Sequence, residues 1–404
     1  MPNTDELLLS FNNWWYGVNK IKAALTKDER PLRIGIISAA AINYHAIIDA
    51  TQTHTGTILA GIAAREKSRA QAQIDKYQIG AHCTAYGSYD ELLSDAGIDA
   101  VYIPLPNGLH CEWAIKAIEA GKHVLIEKPI ASNAQQVRQI EEAASRTNKV
   151  AVEAFHWRFH PAAHRVKELI ESGKYGQPSS IFARLMVPPG QTSKDDIRMR
   201  YDLAGGSCMD LTYVFSACCY FASPDISKCK FSVQQTKPRL NETDQRVDEA
   251  MESSFIIEQA GKHAVSCHIR CDFSPLGIFG WIPRIWEFSP LAIIEFEHAK
   301  IELNNFVVPA YGHSITIIEK DSEGNLTGKK HTEKCYNGGP QWGAKGQPWW
   351  TTYRYQLEAF VDAVRAKEAG TEYNGPWMTL DESEKLMELI DAVYVHAKLP
   401  KRGT

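Results

Sequence analysis

No Cys-x-x-Cys pair occurs in the chain, and its nine cysteines, an odd number, are scattered between Cys83 and Cys335. This argues against a disulfide-stapled scaffold and a cysteine zinc site and for reduced thiols, most of them small core residues. Charge of one sign is not in excess. The formal net charge is −4 at pH 7 over 404 residues, which leaves no basic footprint for nucleic acid and no polybasic anchor for a membrane surface. The longest apolar run, Tyr213 to Ala222, is too short to span a bilayer. Met1-Pro2-Asn3-Thr4-Asp5-Glu6 has no basic start of a signal peptide. A cytoplasmic protein is expected, in which the triplets Asn241-Glu242-Thr243 and Asn325-Leu326-Thr327 carry no glycan.

What is present is an ordinary globular composition, 44% hydrophobic and 23% charged, in a chain longer than one core comfortably serves. Residues 1–31 form a preface. Leu8, Phe11, Trp15, Val18, Ile21 and Leu25 recur at helical spacing, predicting an amphipathic helix that docks on its own domain or on a partner subunit. From residue 32, apolar runs at 33–38, 58–64, 99–105, 123–127 and 150–155 alternate with amphipathic stretches. Strict alternation means parallel βαβ units, so residues 32–155 are read as a doubly wound, dinucleotide-binding Rossmann domain. After residue 176, strand-like runs at 180–187, 252–257, 263–271, 291–296, 299–303 and 314–319 follow one another. They predict an α+β domain over 156–380 with a large, mostly antiparallel sheet, one face covered and the other free to pair with another subunit. A helix over 208–221 joins the two regions, and amphipathic helices are expected near 352–366 and 381–397.

The most informative local feature is Ile126-Glu127-Lys128-Pro129-Ile130-Ala131, between an apolar run and a helix-like stretch. Lys128 falls at the carboxyl end of a strand, where open α/β sheets bind ligands, and a partly buried ammonium can relay protons. A surface lysine in a helix-entry turn is the competing reading. Around it stand Arg33-Ile34-Gly35-Ile36-Ile37-Ser38, Ile103-Pro104-Leu105-Pro106-Asn107-Gly108-Leu109-His110, Glu153-Ala154-Phe155-His156-Trp157-Arg158-Phe159-His160-Pro161 and Gly205-Gly206-Ser207-Cys208-Met209-Asp210. In this order and spacing they resemble the glucose-fructose oxidoreductase / inositol dehydrogenase / rhizopine-catabolism family. The branch of NADP-dependent D-xylose 1-dehydrogenases and dimeric dihydrodiol dehydrogenases is the most similar. The resemblance runs over about 32–402.

The resemblance implies a site. A dinucleotide loop calls for glycines after the first strand. Here Ser38, Ala39, Ala40, Ala41, Ile42 and Asn43 stand instead, small enough for a pyrophosphate to approach. Arg65 takes the family's place for the arginine on an NADP 2′-phosphate and Arg69 assists, while Glu66 keeps NAD open. Leu105, Pro106, Asn107 and His110 are expected beside the nicotinamide, although His110 reads equally as a surface helix cap. Glu127, Lys128 and Arg158 complete the cofactor set, and Phe155 and His160 are assigned to the sugar. Lys128 and Asp210 match the family's catalytic lysine and aspartate. The family's Tyr or His four residues after the aspartate is displaced here to Tyr213, three residues on. On one helix face with Asp210, and acidified by Lys128, Tyr213 is assigned as general acid/base; a structural tyrosine is the alternative.

His156, His160 and His164 mimic a metal ladder, but Pro161 interrupts them and the family uses no metal, so none is expected. Loop 188–202, with Arg198 and Arg200, is expected to rim the substrate pocket, and Trp281, Trp349 and Trp350 are candidates for stacking on a sugar ring. In the family the closing segment, here 381–404, packs back on the first domain. The implied function is an NADP-dependent oxidoreductase, with NAD possible, that converts a sugar or polyol, foremost D-xylose to its lactone. Alternatives are a trans-dihydrodiol, an inositol or an anhydro-sugar, or a non-catalytic dinucleotide-binding regulator. A homodimer or higher homo-oligomer through the C-terminal sheet is expected.

Overall fold

The computed structural model describes residues 4–193, 196–275, 277 and 287–403. The chain forms two compact units. One comprises Met1–Ile130, Arg138–His160 and Tyr336–Leu380; the other comprises Ala131–Val137, Pro161–Cys335 and Asp381–Thr404.

In the first unit the alternating apolar runs become β1 (Leu32–Ile37), β2 (Thr57–Ala63), β3 (Thr84–Tyr86), β4 (Ala100–Ile103), β5 (His123–Ile126) and β6 (Ala151–Glu153). They pair in parallel in the order β3-β2-β1-β4-β5-β6. Strand order reverses beside β1, and in such sheets the crevice beyond the carboxyl ends at that point takes the ligand. The central strands are buried along almost their whole length, as a sheet covered on both faces requires. Three-residue β3 at the edge, with Thr84 exposed, is too short and polar to stand out in the sequence.

The core around β1 joins Ile34, Ile36, Leu59, Ile62 and Tyr102 to Leu357, Phe360 and Val364 of the helix Thr352–Glu368. That helix therefore belongs with the first unit, whereas the sequence boundaries put all of 156–380 in the second. Conversely, the helix Leu380–His396 is tied into the second unit, where Tyr394 Oη donates to Asp248 Oδ1 at 2.9 Å and the Ala134 N–H donates to Asp391 Oδ2 at 3.4 Å.

The preface differs from the amphipathic stripe read for it. Two helices, Thr4–Trp15 and Val18–Ala24, break at Gly17 with φ 65°. The face toward the first unit carries Leu9, Asn12, Asn13 and Val18, while Phe11, Trp14 and Trp15 are 60%, 68% and 66% exposed. Polar anchors decide the orientation: Asn13 Nδ2 and Lys22 Nζ both donate to the buried Asp49, and Asn12 Nδ2 donates to the Trp349 carbonyl at 3.2 Å.

The second unit holds β7 (Pro178–Met186), β8 (Cys229–Leu240), β9 (Asp248–Gln259), β10 (Val265–Asp272), β11 (Leu291–Phe296), β12 (Ala299–Asn304), β13 (Ser314–Lys320) and β14 (Leu326–Glu333). Their order is β14-β13-β12-β11-β7-β10-β9-β8, antiparallel except where β7 meets β10. Residues alternate between a buried face (Ile181, Ala183, Ile269, Phe255, Ile294, Ile301) and an open one. The helix Tyr213–Ala222 packs on the buried face, where Phe215 stacks on Phe255 at 6.1 Å between ring centroids. β8 and β14 escaped the sequence reading because they are edges. β8 carries Pro238, and β14 reads Leu-Thr-Gly-Lys-Lys-His-Thr-Glu, exposed over nearly all its length; proline and lysine blunt an edge against further pairing.

Candidate active site

At the exit of β1 the missing glycine is replaced in conformation. Ser38 adopts φ 111°, a backbone normally left to glycine, at a cost of about 1–3 kcal/mol. Asn43 holds it: its side-chain amide, fully buried, donates to the Ser38 carbonyl at 2.8 Å and to Gln73 Oε1 at 2.8 Å. Ala39 and Ile42 pack on the β1 core, and Ala40 is half-buried. The turn thus keeps the sharp reversal and small side chains that a pyrophosphate needs. Among the described residues, Asn43 Oδ1 is buried without a hydrogen-bond partner.

At the exit of β2, Arg65, Glu66 and Arg69 are exposed. Among the described residues neither guanidinium has a hydrogen-bond or ion-pair partner, so two planar forks of the kind that suits a phosphate stand unengaged at the end of β2. The turn at Ser38 and these two arginines fit a phosphorylated dinucleotide.

Beyond β4 and β5 a buried brace holds the Lys128 turn. His110 is fully buried, with Nδ1 2.8 Å from the Pro129 carbonyl and Nε2 2.7 Å from the Leu105 carbonyl. This excludes the surface-cap reading of His110. Glu127 Oε1 accepts from Tyr102 Oη at 2.6 Å and Oε2 from the Lys128 N–H at 3.2 Å, while Glu153 Oε1 accepts from the Ile130 N–H at 3.0 Å. The Lys128–Pro129 peptide is cis. Lys128 itself is half-buried, as are Pro106 and Asn107; Leu105 is buried.

Burial pushes His110 down to about 4, against the pull of the two carbonyl oxygens. It likewise lowers His54 to about 3, His123 to about 4 and His156 to about 3. These folded-state values lie below the ordinary 6.5, so the contribution of the neutral rings is complete above pH 6.5 and is lost as pH falls toward 4. The first unit is expected to melt more than about 10 °C lower at pH 5 than at pH 7.5, since several buried imidazoles charge together. Circular dichroism melts check this, and a melting temperature that is flat across the window contradicts it.

Phe155, His156, Arg158 and His160 are all buried. His156 Nδ1 is 2.8 Å from Thr352 Oγ1, and the His160 ring meets Tyr355 edge-on at 5.5 Å. Among the described residues no group of three His, Cys, Asp or Glu side chains is placed to hold a metal. Trp350 lies in a core cluster with Arg354 over its ring at 3.9 Å, and Trp349 packs against that cluster. Trp281 lies outside the described residues.

Asp210 and Tyr213 belong to the second unit, and Lys128 to the first. The single helix read over 208–221 is in fact two: Ser207–Asp210, then a turn at Leu211 and Thr212, then Tyr213–Ala222. Asp210 and Tyr213 therefore do not share one continuous helix face, as the sequence led one to expect. Tyr213 is 7% exposed. Sequence reasoning missed a partner of Asp210: Arg198 Nε donates to Asp210 Oδ2 at 3.0 Å, and its Nη1 donates to Asp196 Oδ1 and Oδ2 at 3.1 and 3.2 Å. The loop places Arg200 differently, against Asp202. Two arginines in a loop ahead of a glycine pair were a visible signal, but which one turns toward Asp210 depends on backbone contacts. The Gly205 N–H donates to the Arg200 carbonyl at 2.8 Å and the Gly206 N–H to the Arg198 carbonyl at 2.9 Å.

Residues 32–155 match the model of an oxidoreductase family with an NAD-binding Rossmann fold. The chain is 41% identical over 198 residues to a D-xylose 1-dehydrogenase (NADP(+)) of Haloferax volcanii, covering 48% of this chain and 58% of that protein. It is 35% identical over 191 residues to a dTDP-3,4-didehydro-2,6-dideoxy-alpha-D-glucose 3-reductase of Streptomyces violaceoruber, covering 47% and 54%. The match therefore spans little more than half the length of these relatives. The crystal structure of a 3-ketoreductase from Actinomadura kijaniata in complex with NADP superposes with a TM-score of 0.69 at 20% identity, over 91% of this chain and 98% of that one. That likeness establishes the two-part fold.

Proposed function

We propose that the protein, whose residues 32–155 match the model of an oxidoreductase family with an NAD-binding Rossmann fold, is an NADP-dependent sugar oxidoreductase whose preferred reaction oxidises C1 of an aldopyranose such as D-xylose to the lactone. The observation that carries the cofactor choice is the pair of unengaged guanidinium groups at the β2 exit. The identity to a xylose dehydrogenase supports the substrate class. The Ser38 turn, with Ala39, Ala40, Ile42 and Asn43, would hold the pyrophosphate; Leu105, Pro106, Asn107, Glu127 and Arg158 would border the nicotinamide end. Bound NADP+ supplies the acceptor for the hydride leaving C1. Tyr213 takes the C1 hydroxyl proton on its phenolic oxygen, Asp210 orients the sugar, and the positive charge of Lys128 favours that proton transfer. The similarity to 3-reductases supports the same groups working in the reductive direction on a keto sugar.

Absorbance at 340 nm, followed while the protein is mixed with NADP+ and a panel of pentoses and hexoses, or with NADPH and keto sugars, tests the reading. Turnover of an aldopyranose is expected. Tight NADPH binding without turnover of any sugar would favour a dinucleotide-binding regulator.

The free cysteines support a reducing, cytosolic compartment, and no described helix is long and apolar enough to cross a membrane. We place self-association on the open face of the second unit's sheet, where Phe182 stacks on His268 at 5.6 Å between centroids and Ile293 stands half-buried. Phe182→Glu together with Ile293→Glu is expected to convert a dimer to monomer in sedimentation velocity. An unchanged sedimentation coefficient would move the interface elsewhere.

A further inference from the structure

Outside the groups assigned to the proposed reaction, the second unit holds a fully buried ion pair: Arg402 with Asp248, both 0% exposed. Arg402 Nη2 donates to Asp248 Oδ1 at 2.7 Å, Nε to the Gly205 carbonyl at 2.6 Å and Nη1 to the Pro400 carbonyl at 2.8 Å. Its guanidinium lies over the Tyr394 ring, 4.0 Å from the centroid. Asp248 is equally engaged. Oδ1 also accepts from Tyr394 Oη at 2.9 Å, and Oδ2 accepts from Ser207 Oγ at 2.7 Å and from the Cys208 N–H at 2.8 Å. The carboxylate thus caps the first turn of the helix that ends in Asp210.

The Gly205-Gly206 pair lies between this network and the Arg198 loop. A Cβ on Gly206, whose φ is 134°, would collide with Asp248 Oδ1, Tyr394 Oη and Arg402 Nη2, and a Cβ on Gly205 would collide with the Arg198 and Arg200 carbonyls. Two references for Asp210 therefore meet at the same two glycines: the cap on its helix and the loop whose Arg198 binds its carboxylate. Through its backbone, Arg402 also reaches Asn133, whose side chain donates to the Arg402 carbonyl at 2.8 Å, five residues after Lys128 in sequence.

We propose that Arg402 is a positioning residue: by way of Asp248 it fixes the Gly205-Gly206 turn and hence the placement of Asp210 and Tyr213. An ion pair with both partners desolvated adds little net stability over apolar packing of the same volume, so the role assigned to this one is geometric. The consequence for turnover rests on the functional reading above, whereas the consequence for the turn itself does not.

Arg402→Lys removes the planar fork and keeps the charge. Three measurements on this variant test the proposal, with Asp210→Asn as the reference. Amide hydrogen exchange across 205–213 is expected to accelerate at least about tenfold, with the β1 and β4 amides unchanged. The kcat is expected to fall at least about tenfold, since small misplacements of catalytic groups are costly. The dissociation constant for NADPH is expected to change less than about threefold, because the cofactor loops lie in the first unit. Exchange across 205–213 that matches the unsubstituted protein overturns the proposal. So does accelerated exchange with an unchanged kcat, provided Asp210→Asn lowers kcat. Should Asp210→Asn leave turnover untouched, the functional reading fails, and the clamp is judged on exchange alone. If Arg402→Lys does not fold, Tyr394→Phe, which deletes one bond to Asp248 and keeps the ring, is read by the same criteria.

Discussion

Lys128→Met and Tyr213→Phe are each expected to lower kcat by about a thousandfold, within the range that a positioned acid/base group supplies, while NADPH still binds within about threefold of the unsubstituted protein. The expectation is separable from misfolding. The Lys128 turn is held by other groups: His110 between the Leu105 and Pro129 carbonyls, Glu127 on Tyr102 and the Lys128 N–H, and Glu153 on the Ile130 N–H. None of these bonds uses the Lys128 ammonium. Tyr213→Phe removes one oxygen from a residue whose ring stays buried at the start of its helix. Steady-state kinetics with fluorescence titration of NADPH separates the two parameters. A kcat within about threefold for either folded variant would remove that residue from the proton path.

The second large effect concerns coenzyme choice. Replacing Arg65 and Arg69 together by alanine is expected to weaken NADPH binding about a hundredfold or more, since a charge-assisted hydrogen bond to phosphate contributes about 1.5–3 kcal/mol. NADH, which carries a hydroxyl where NADPH carries the phosphate, is expected to change by less than about threefold. Both arginines are exposed and, among the described residues, unpaired, so their removal leaves no buried charge behind and stability should barely move. Equal losses for the two coenzymes would place the 2′-phosphate elsewhere.

The parts of this molecule that the sequence made legible are those coded by neighbouring residues. The parallel strands stood out because burial on both faces turns them into continuous apolar runs, as in His123–Ile126. The Lys128 turn was visible because its meaning lies within six consecutive residues. Edge strands were hidden, since Cys229–Leu240 and Leu326–Glu333 keep polar and charged side chains that an exposed edge tolerates. The face that the preface turns to its own unit was hidden for the opposite reason. Its aromatics suggested the docking face, while buried asparagines and Asp49 set the orientation.

In the site, a backbone angle and two long-range pairings were out of reach. No residue letter announces that Ser38 adopts a positive φ under the hold of Asn43. Arg198 meets Asp210 across 12 positions, and Arg402 meets Asp248 across 154, so neither leaves a local pattern. The break between Asp210 and Tyr213 likewise follows from packing in the second unit, in a run whose composition suits an unbroken helix.

Transfer of deuterium from an aldopyranose labelled at C1 to the coenzyme is the most direct measurement of what this protein does. Incubated with NADP+ and C1-deuterated D-xylose or the best sugar of the panel, the unsubstituted protein is expected to yield reduced coenzyme that is heavier by one deuterium at nicotinamide C4, and Lys128→Met is expected to yield almost none in the same time. Reduced coenzyme without label, or equal labelling by the Lys128→Met protein, would contradict the account.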